Sequence, residues 1–291
     1  MTARRNVVIV GGVDAGKTNY LLRFWLAMRD RKHRALVPDG LPIDAEYLNL
    51  GVSEQLKGQF AGHTQRGTRT LCEIPVKIGD HPAALVVPDG PGEDWQRLYV
   101  ERRWPAEWEG LVVDDAAFLI FVRVHSDEIR APLDWIQVQN LFGLNANLQG
   151  QVAGQLPDGP PTQVILVEWI QMIVALCKQR SGPTVRPRIG ILITAWDLLS
   201  GDEQAAGPNE YLKSQYRLLS DYLRSNGDRA EFSTFGVSLF GGDFNMQSGF
   251  RDQFLNEGNP RERGFVDYCE NGQVKRSSDL TLPVMWALGA A

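Results

Sequence analysis

This chain of 291 residues has only three cysteines, Cys72, Cys177 and Cys269. Their number is odd and no C-x-x-C pair occurs, which argues against a disulfide framework and against a cysteine zinc site. Histidine is also sparse, and His33, His63, His81 and His125 stand at no metal-ligand spacing. Neither sign of charge dominates. Thirty basic residues against 35 acidic ones give a net charge of −5, with no general pull toward nucleic acid or an anionic membrane. Long apolar runs are missing too. The most apolar stretch, Val164–Cys177, is interrupted by Glu168 and Gln171 and falls short of the roughly 20 residues a bilayer needs, so it is expected to be a buried helix. Met1–Arg5 carries no apolar signal core, and the expectation is a soluble, cytoplasmic protein. Low-complexity tracts and internal repeats are absent, and 43% hydrophobic with 22% charged residues is ordinary globular usage.

What the chain does have is a series of short apolar runs bounded by turn residues: Asn6–Val10, Leu71–Ile78, Ala84–Val87, Ala117–Val124, Ile189–Ile193 and Phe235–Phe240. Most lack polar alternation, as do strands buried on both faces. Helices are expected at Lys17–Arg29, Val164–Lys178 and Glu210–Ser225. Alternating strands and helices predict an α/β fold, a mostly parallel sheet with helices on both faces. The expected organisation is a single domain over residues 1–291. An inserted lobe falls at about 126–161 and a C-terminal extension at about 241–291.

The strongest motif is Gly11-Gly12-Val13-Asp14-Ala15-Gly16-Lys17-Thr18, a match to G-x-x-x-x-G-K-[ST] between an expected strand and an expected helix. Its glycines let backbone N–H groups curl around a polyphosphate, and the helix N-terminus adds positive potential. Lys17 is expected to neutralise the β/γ charge and the Thr18 hydroxyl to ligate Mg²⁺, with Asn19 beside them. After the run Ala84–Val87, Pro88-Asp89-Gly90-Pro91-Gly92 offers Asp89 for the metal and the Gly92 N–H for the γ-phosphate. The alternative there is a plain turn. Between these elements lie three threonines; Thr68 is the first choice to close over the metal, with Thr64 and Thr70 behind it, against the alternative of solvated loop hydroxyls.

A base-reading loop is expected at Ile191–Asp197. Asp197 at the end of a strand suits acceptance of hydrogen bonds from guanine N1–H and the 2-amino group, which adenine lacks. The competing reading is a helix N-cap before Leu198. Ser238, in Phe235–Gly241, is expected near the base edge. Trp95, Trp104, Trp108 and Trp135 suit either an interface or the core. The basic pairs Arg4-Arg5, Arg102-Arg103 and Lys275-Arg276 suit either a partner or a solvated surface.

At these residues the chain resembles the translation-factor-related GTPases. Its phosphate loop is similar to their Gly-His-Val-Asp-His-Gly-Lys-Thr, and Asp89-Gly90-Pro91-Gly92 to their Asp-x-Pro-Gly. More of it resembles the double-GTPase domains of bacterial conflict, or defence, systems. The similar segments are Asn6–Thr18, Arg66–Thr70, Pro88–Trp95, Phe121–Trp135, Pro161–Val164, Thr194–Asp197 and Leu282–Trp286. The resemblance implies a P-loop GTPase fold, GTP and GDP as ligands, Mg²⁺, and a switch acting with protein partners of the same system. Departures are informative. Thr194 and Ala195 replace the Asn-Lys of the base-reading motif. Glu93 stands where relatives carry a catalytic histidine or glutamine; a carboxylate accepts a proton from water but opposes the phosphoryl charge, which implies slow turnover without a partner. Val13 occupies a position that Ras-like proteins keep as glycine to admit an arginine finger. Asp14 matches a loop aspartate that in related GTPases helps hold a monovalent cation, which implies K⁺. Two other functions remain open, an ATPase or kinase on the same fold and a nucleotide-bound interaction module with little hydrolysis.

Overall fold

In β1 (Arg5–Gly11), Val7 and Ile9 point into one layer of the core while Val8 and Val10 point into the other. The same division recurs in β5 (Ala117–Arg123), where Leu119 and Phe121 face one way and Phe118, Ile120 and Val122 the other. Successive strand side chains alternate faces, so strands apolar at every position require cover on both sides. A computed structural model describes residues 4–29, 35–61, 72–88, 98–113, 115–126, 129–130, 159–245 and 247–290.

On one face lie α1 (Lys17–Arg29), α2 (Ala45–Leu56), α8 (Phe250–Asn256) and α9 (Leu282–Ala287). On the other lie α3 (Ala106–Glu109), α4 (Thr162–Ser181), α6 (Pro208–Gln215) and α7 (Arg217–Ser225), with α5 (Gly201–Ala206) preceding α6. The apolar stretch read as a buried helix is α4, whose Leu166, Trp169, Ile170 and Ile173 are buried against the sheet. Each such side chain contributes roughly 1.5–3 kcal/mol by leaving water. Among the described residues no helix is long and apolar enough to cross a membrane.

The sheet also contains β2 (Leu36–Pro38), β3 (Cys72–Ile78), β4 (His81–Val87), β6 (Arg188–Thr194), β7 (Glu231–Ser238), β8 (Phe265–Glu270) and β9 (Gln273–Ser277). Its order is β2-β3-β4-β1-β5-β6-β7-β8-β9. From β4 to β7 the strands run parallel, and both edges are antiparallel. The sheet is therefore mixed, parallel only in its centre. The polar stretch after residue 241 supplies the hairpin β8–β9, turning at Asn271 and Gly272, both at positive φ. An exposed edge strand needs no apolar pattern, which is why its sequence shows none.

Two boundaries differ from expectation. Glu210–Ser225 is not one helix, because buried Tyr216 (φ −132°, ψ 55°) leaves the helical region and splits α6 from α7. β7 ends at Ser238, and Phe240 leaves the sheet to pack with Phe60, Phe244 and Phe254. Trp104 and Trp108 are core residues meeting edge to face at 6.3 Å. Trp95, Trp135 and most of 126–161 lie outside the described residues. At the margin of that lobe, Thr162 N–H donates to the Arg130 carbonyl at 3.0 Å, and the Thr162 hydroxyl accepts from Arg130 N–H at 2.8 Å. Five residues of the basic pairs are engaged within the chain: Arg4 with Glu73, Arg5 with Asp115, Arg102 with Glu168, Lys275 with Glu270 and Arg276 with Asp267. Arg23 of α1 is buried over the Phe240 ring, and desolvation lowers its guanidinium to about 10.

Candidate functional site

Because β1, β5, β6 and β7 are parallel, their C-terminal ends open on one edge of the sheet, where ligands of open α/β sheets bind. Four loops meet there, following Gly11, Arg123, Thr194 and Ser238.

The first runs from Gly12 to Gly16 and enters α1 at Lys17. Its glycines are required by shape. A Cβ on Gly11 would lie 3.0 Å from the Phe121 Cβ, and one on Gly16, at φ +85°, would lie 3.0 Å from the Thr194 hydroxyl oxygen. At Gly12 a Cβ would meet nothing within 4 Å, so the loop is open on that side. Asp14 stands at φ +57°, left-handed backbone that disfavours most non-glycine residues but is tolerated by Asp. Lys17 Nζ donates to the carbonyls of Gly11 (2.7 Å) and Gly12 (2.6 Å), folding its ammonium back over the start of the loop. Val13 and Thr18 are half-buried, and Ala15 is buried.

The Asn19 side chain is engaged within the fold. Its side-chain oxygen accepts from Gln55 Nε2 (3.0 Å) and from Ala61 N–H (3.0 Å), tying α1 to the end of α2 and the residues after it. Thr194 is buried at the end of β6, and its hydroxyl donates to the Ala15 carbonyl at 2.9 Å. The residue in the asparagine position thus holds the phosphate loop directly. Ala195 follows in left-handed backbone (φ +55°) and turns the chain into a short 3-10 helix, Trp196–Leu198.

Trp196 anchors that turn. Its fully buried ring lies where Gly236 has no side chain, since a Cβ there would sit 2.4 Å from the indole. Its Nε1 donates to Asp267 Oδ2 at 2.8 Å, and Arg276 grips both Asp267 oxygens at 2.7 Å. Asp197, next in line, is not a helix cap: it lies within the 3-10 helix, and α5 is capped by Ser200 and Glu203 instead. The Ser238 hydroxyl donates to Asp197 and accepts from Gly241 N–H at 3.0 Å. Burial raises the Asp197 carboxyl above its ordinary value. The Ser238 bond, its own backbone N–H and Arg123 act against that rise, and Asp243 adds to it.

Sequence reasoning missed three members of this cluster, Arg123, Ser126 and Asp243. Arg123, the last residue of β5, places Nη1 2.5 Å from Asp14 Oδ1 and Nη2 3.9 Å from Asp243 Oδ2. The Ser126 hydroxyl donates to Asp14 Oδ2 at 3.2 Å. A charge ending the otherwise apolar run Ala117–Val122 is a signal that points to Arg123. Asp243 sits in a polar stretch with no such contrast. Thr64, Thr68, Thr70, Asp89, Gly92 and Glu93 lie outside the described residues.

A model of the Double-GTPase 1 family matches residues 8–287. No curated protein matches the chain. Among solved structures, Roco2 RocCORdC of Methanosarcina barkeri bound to GDP is similar at 12% identity and a TM-score of 0.33, over 88% of this chain and 50% of that one. The LeoA bacterial dynamin GTPase from ETEC is similar at 13% identity and a TM-score of 0.37, over 86% of this chain and 32% of that one. The signal recognition particle receptor SRb-GTP/SRX complex of Chaetomium thermophilum is similar at 12% identity and a TM-score of 0.37, over 83% of this chain and 93% of that one. The chain thus spans half the length of the first of these and about a third of the second.

Proposed function

Since this chain belongs to the Double-GTPase 1 family, we propose that it binds guanine nucleotide at the C-terminal edge of its sheet, hydrolyses GTP with Mg²⁺, and acts as a switch. The observation that carries this reading is the meeting of two distant segments: the phosphate loop and the Asp197 turn are joined through the Thr194 hydroxyl on the Ala15 carbonyl. One end of the site thus suits phosphate, and a fixed distance away a carboxylate suits the guanine edge.

The residues present fit such a ligand. The loop is open beside Gly12, the Lys17 ammonium lies over Gly11 and Gly12, and the N-terminus of α1 favours an anion. In this reading Lys17 turns from those carbonyls to the β/γ oxygens, and the N–H groups of residues 12–19 hold the phosphates. Asp197, braced by Ser238, accepts from the guanine N1–H and 2-amino group. Thr18, with Asp89 and Thr68, would hold Mg²⁺, which supplies charge neutralisation when bound. Gly92 serves the γ-phosphate, and Glu93 orients the attacking water.

The switch reading places the nucleotide-dependent change in the residues around Thr68 and Gly92, with protein partners of a bacterial defence system as the recipients. Asn19, bonded to Ala61, links the phosphate-loop helix to the chain leading toward Thr68. A potassium ion beside Asp14 belongs to the same reading, where it would compete with Arg123 and Ser126 for the two carboxylate oxygens.

The test is calorimetric binding of GTP, GDP, ATP and ADP with Mg²⁺, followed by single-turnover hydrolysis in K⁺ and in Na⁺. Guanine-only binding with turnover supports the proposal. Adenine binding overturns the role of Asp197, and guanine binding without turnover reduces the protein to a nucleotide-bound interaction module. Equal rates in the two salts remove the potassium ion.

A further inference from the structure

A phosphate loop that carries a carboxylate sets a charge problem. Asp14 sits inside Gly11–Thr18, and its left-handed backbone holds the side chain on the side of β5. Asp243 and Asp197 stand at the end of the site formed after β6 and β7, close enough that Asp243 raises the Asp197 carboxyl. A nucleoside di- or triphosphate placed among these groups would bring several more negative charges into a partly desolvated cleft, where Coulomb repulsion is strong.

The geometry supplies the compensation. Arg123 leaves the end of β5 between the two groups of acids, with Nη1 on Asp14 at 2.5 Å and Nη2 facing Asp243 at 3.9 Å, and its charge is felt by Asp197. A planar guanidinium with donors on two arms spans two carboxylates on separate loops; a lysine ammonium is a single point. Ser126 completes the shell by donating to the second Asp14 oxygen. Lys17 is turned toward the carbonyls of Gly11 and Gly12.

We propose that Arg123 is a positioning residue for nucleotide retention: by neutralising Asp14 and screening Asp243, it allows the loop to hold a polyphosphate. This rests on the guanine-nucleotide reading above and adds to it a residue that no motif names. It makes Arg123 and Asp14 one functional unit, in which the aspartate without its arginine is worse than having neither.

The experiment measures binding of GTP, GDP and guanosine by calorimetry, with melting temperature as the check on folding, for the wild type, Arg123→Gln, Arg123→Lys and Asp14→Asn/Arg123→Gln. Arg123→Gln is expected to weaken GTP binding by on the order of tenfold, the scale of one partly screened charge contact. Guanosine, which has no phosphate to repel, changes little. The double variant recovers most of the loss, and Arg123→Lys falls between. Should Arg123→Gln fail to fold, the lysine and double variants carry the same comparison. Equal losses for guanosine and GTP, or no recovery in a folded double variant, would overturn the proposal in favour of a purely structural ion pair. A wild type that binds no guanine nucleotide overturns the functional reading itself. A wild type that binds it, with Arg123→Gln unchanged, overturns only this inference.

Discussion

The Trp196 indole occupies the space that Gly236 leaves open on β7, so closely that a Cβ at 236 would lie 2.4 Å from the ring. Asp197 is carried by the residue after that indole, and its position therefore depends on a strand neighbour with no side chain. Gly236→Ala is expected to destabilise the protein by roughly 1–3 kcal/mol through overpacking. Guanine-nucleotide affinity should fall with it, because the 3-10 turn must shift. Chemical denaturation and calorimetry on the same preparation check both. A variant with normal stability and normal binding would refute the linkage.

Lys17→Ala removes an ammonium that donates to the carbonyls of Gly11 and Gly12. GTP affinity should drop on the order of 100-fold, the scale of a lost charge-assisted contact, with any loss of folding stability read separately. Melting curves beside binding isotherms separate the two effects.

Thr194→Val deletes the hydroxyl that donates to the Ala15 carbonyl and keeps the shape of the side chain. A buried carbonyl left without its donor costs about 1–3 kcal/mol. Both stability and nucleotide affinity should fall, whereas Thr194→Ser should retain most of each. Equal behaviour of the valine and serine variants would show that the hydroxyl is idle.

Asp197→Asn should abolish the preference for guanine over adenine nucleotides, because an amide cannot accept from both guanine donors in the same way. The pH dependence has a definite sign. Burial raises the Asp197 carboxyl above 3.8, and guanine needs its ionised form. GTP affinity should therefore weaken as pH falls through a range above that of an ordinary aspartate, and Asp197→Asn should flatten that step. In the free protein the same raised carboxyl opposes stability as pH increases through its titration, since the folded state resists ionising it. Isotherms across weakly acidic pH, for wild type and variant, decide this.

Much of the molecule was legible in the sequence. The run Asn6–Val10 followed by Gly-x-x-x-x-Gly-Lys-Thr specifies strand, loop and helix by local rules alone: apolar period, backbone freedom at Gly11 and Gly16, and a helix start at Lys17. Asp197, expected at the end of a strand, lies in the 3-10 turn just beyond β6, and Ser238 stands at the end of β7. Local sequence does not reveal that Gln55 and Ala61, distant in the chain, claim the Asn19 side chain.

What the sequence by itself determined, then, is what depends on neighbours along the chain: which segments are strands buried on both faces, where the phosphate loop turns, and which residue types stand at strand ends. Only the tertiary structure decided that Arg123 meets Asp14 and Asp243, that Gly236 makes room for Trp196, and that the polar stretch after residue 241 joins the sheet edge as a hairpin. These contacts join residues far apart in sequence. Strand order and the parallel direction of β1, β5, β6 and β7 bring them to one edge, and that order is settled by how both faces of the sheet are buried at once.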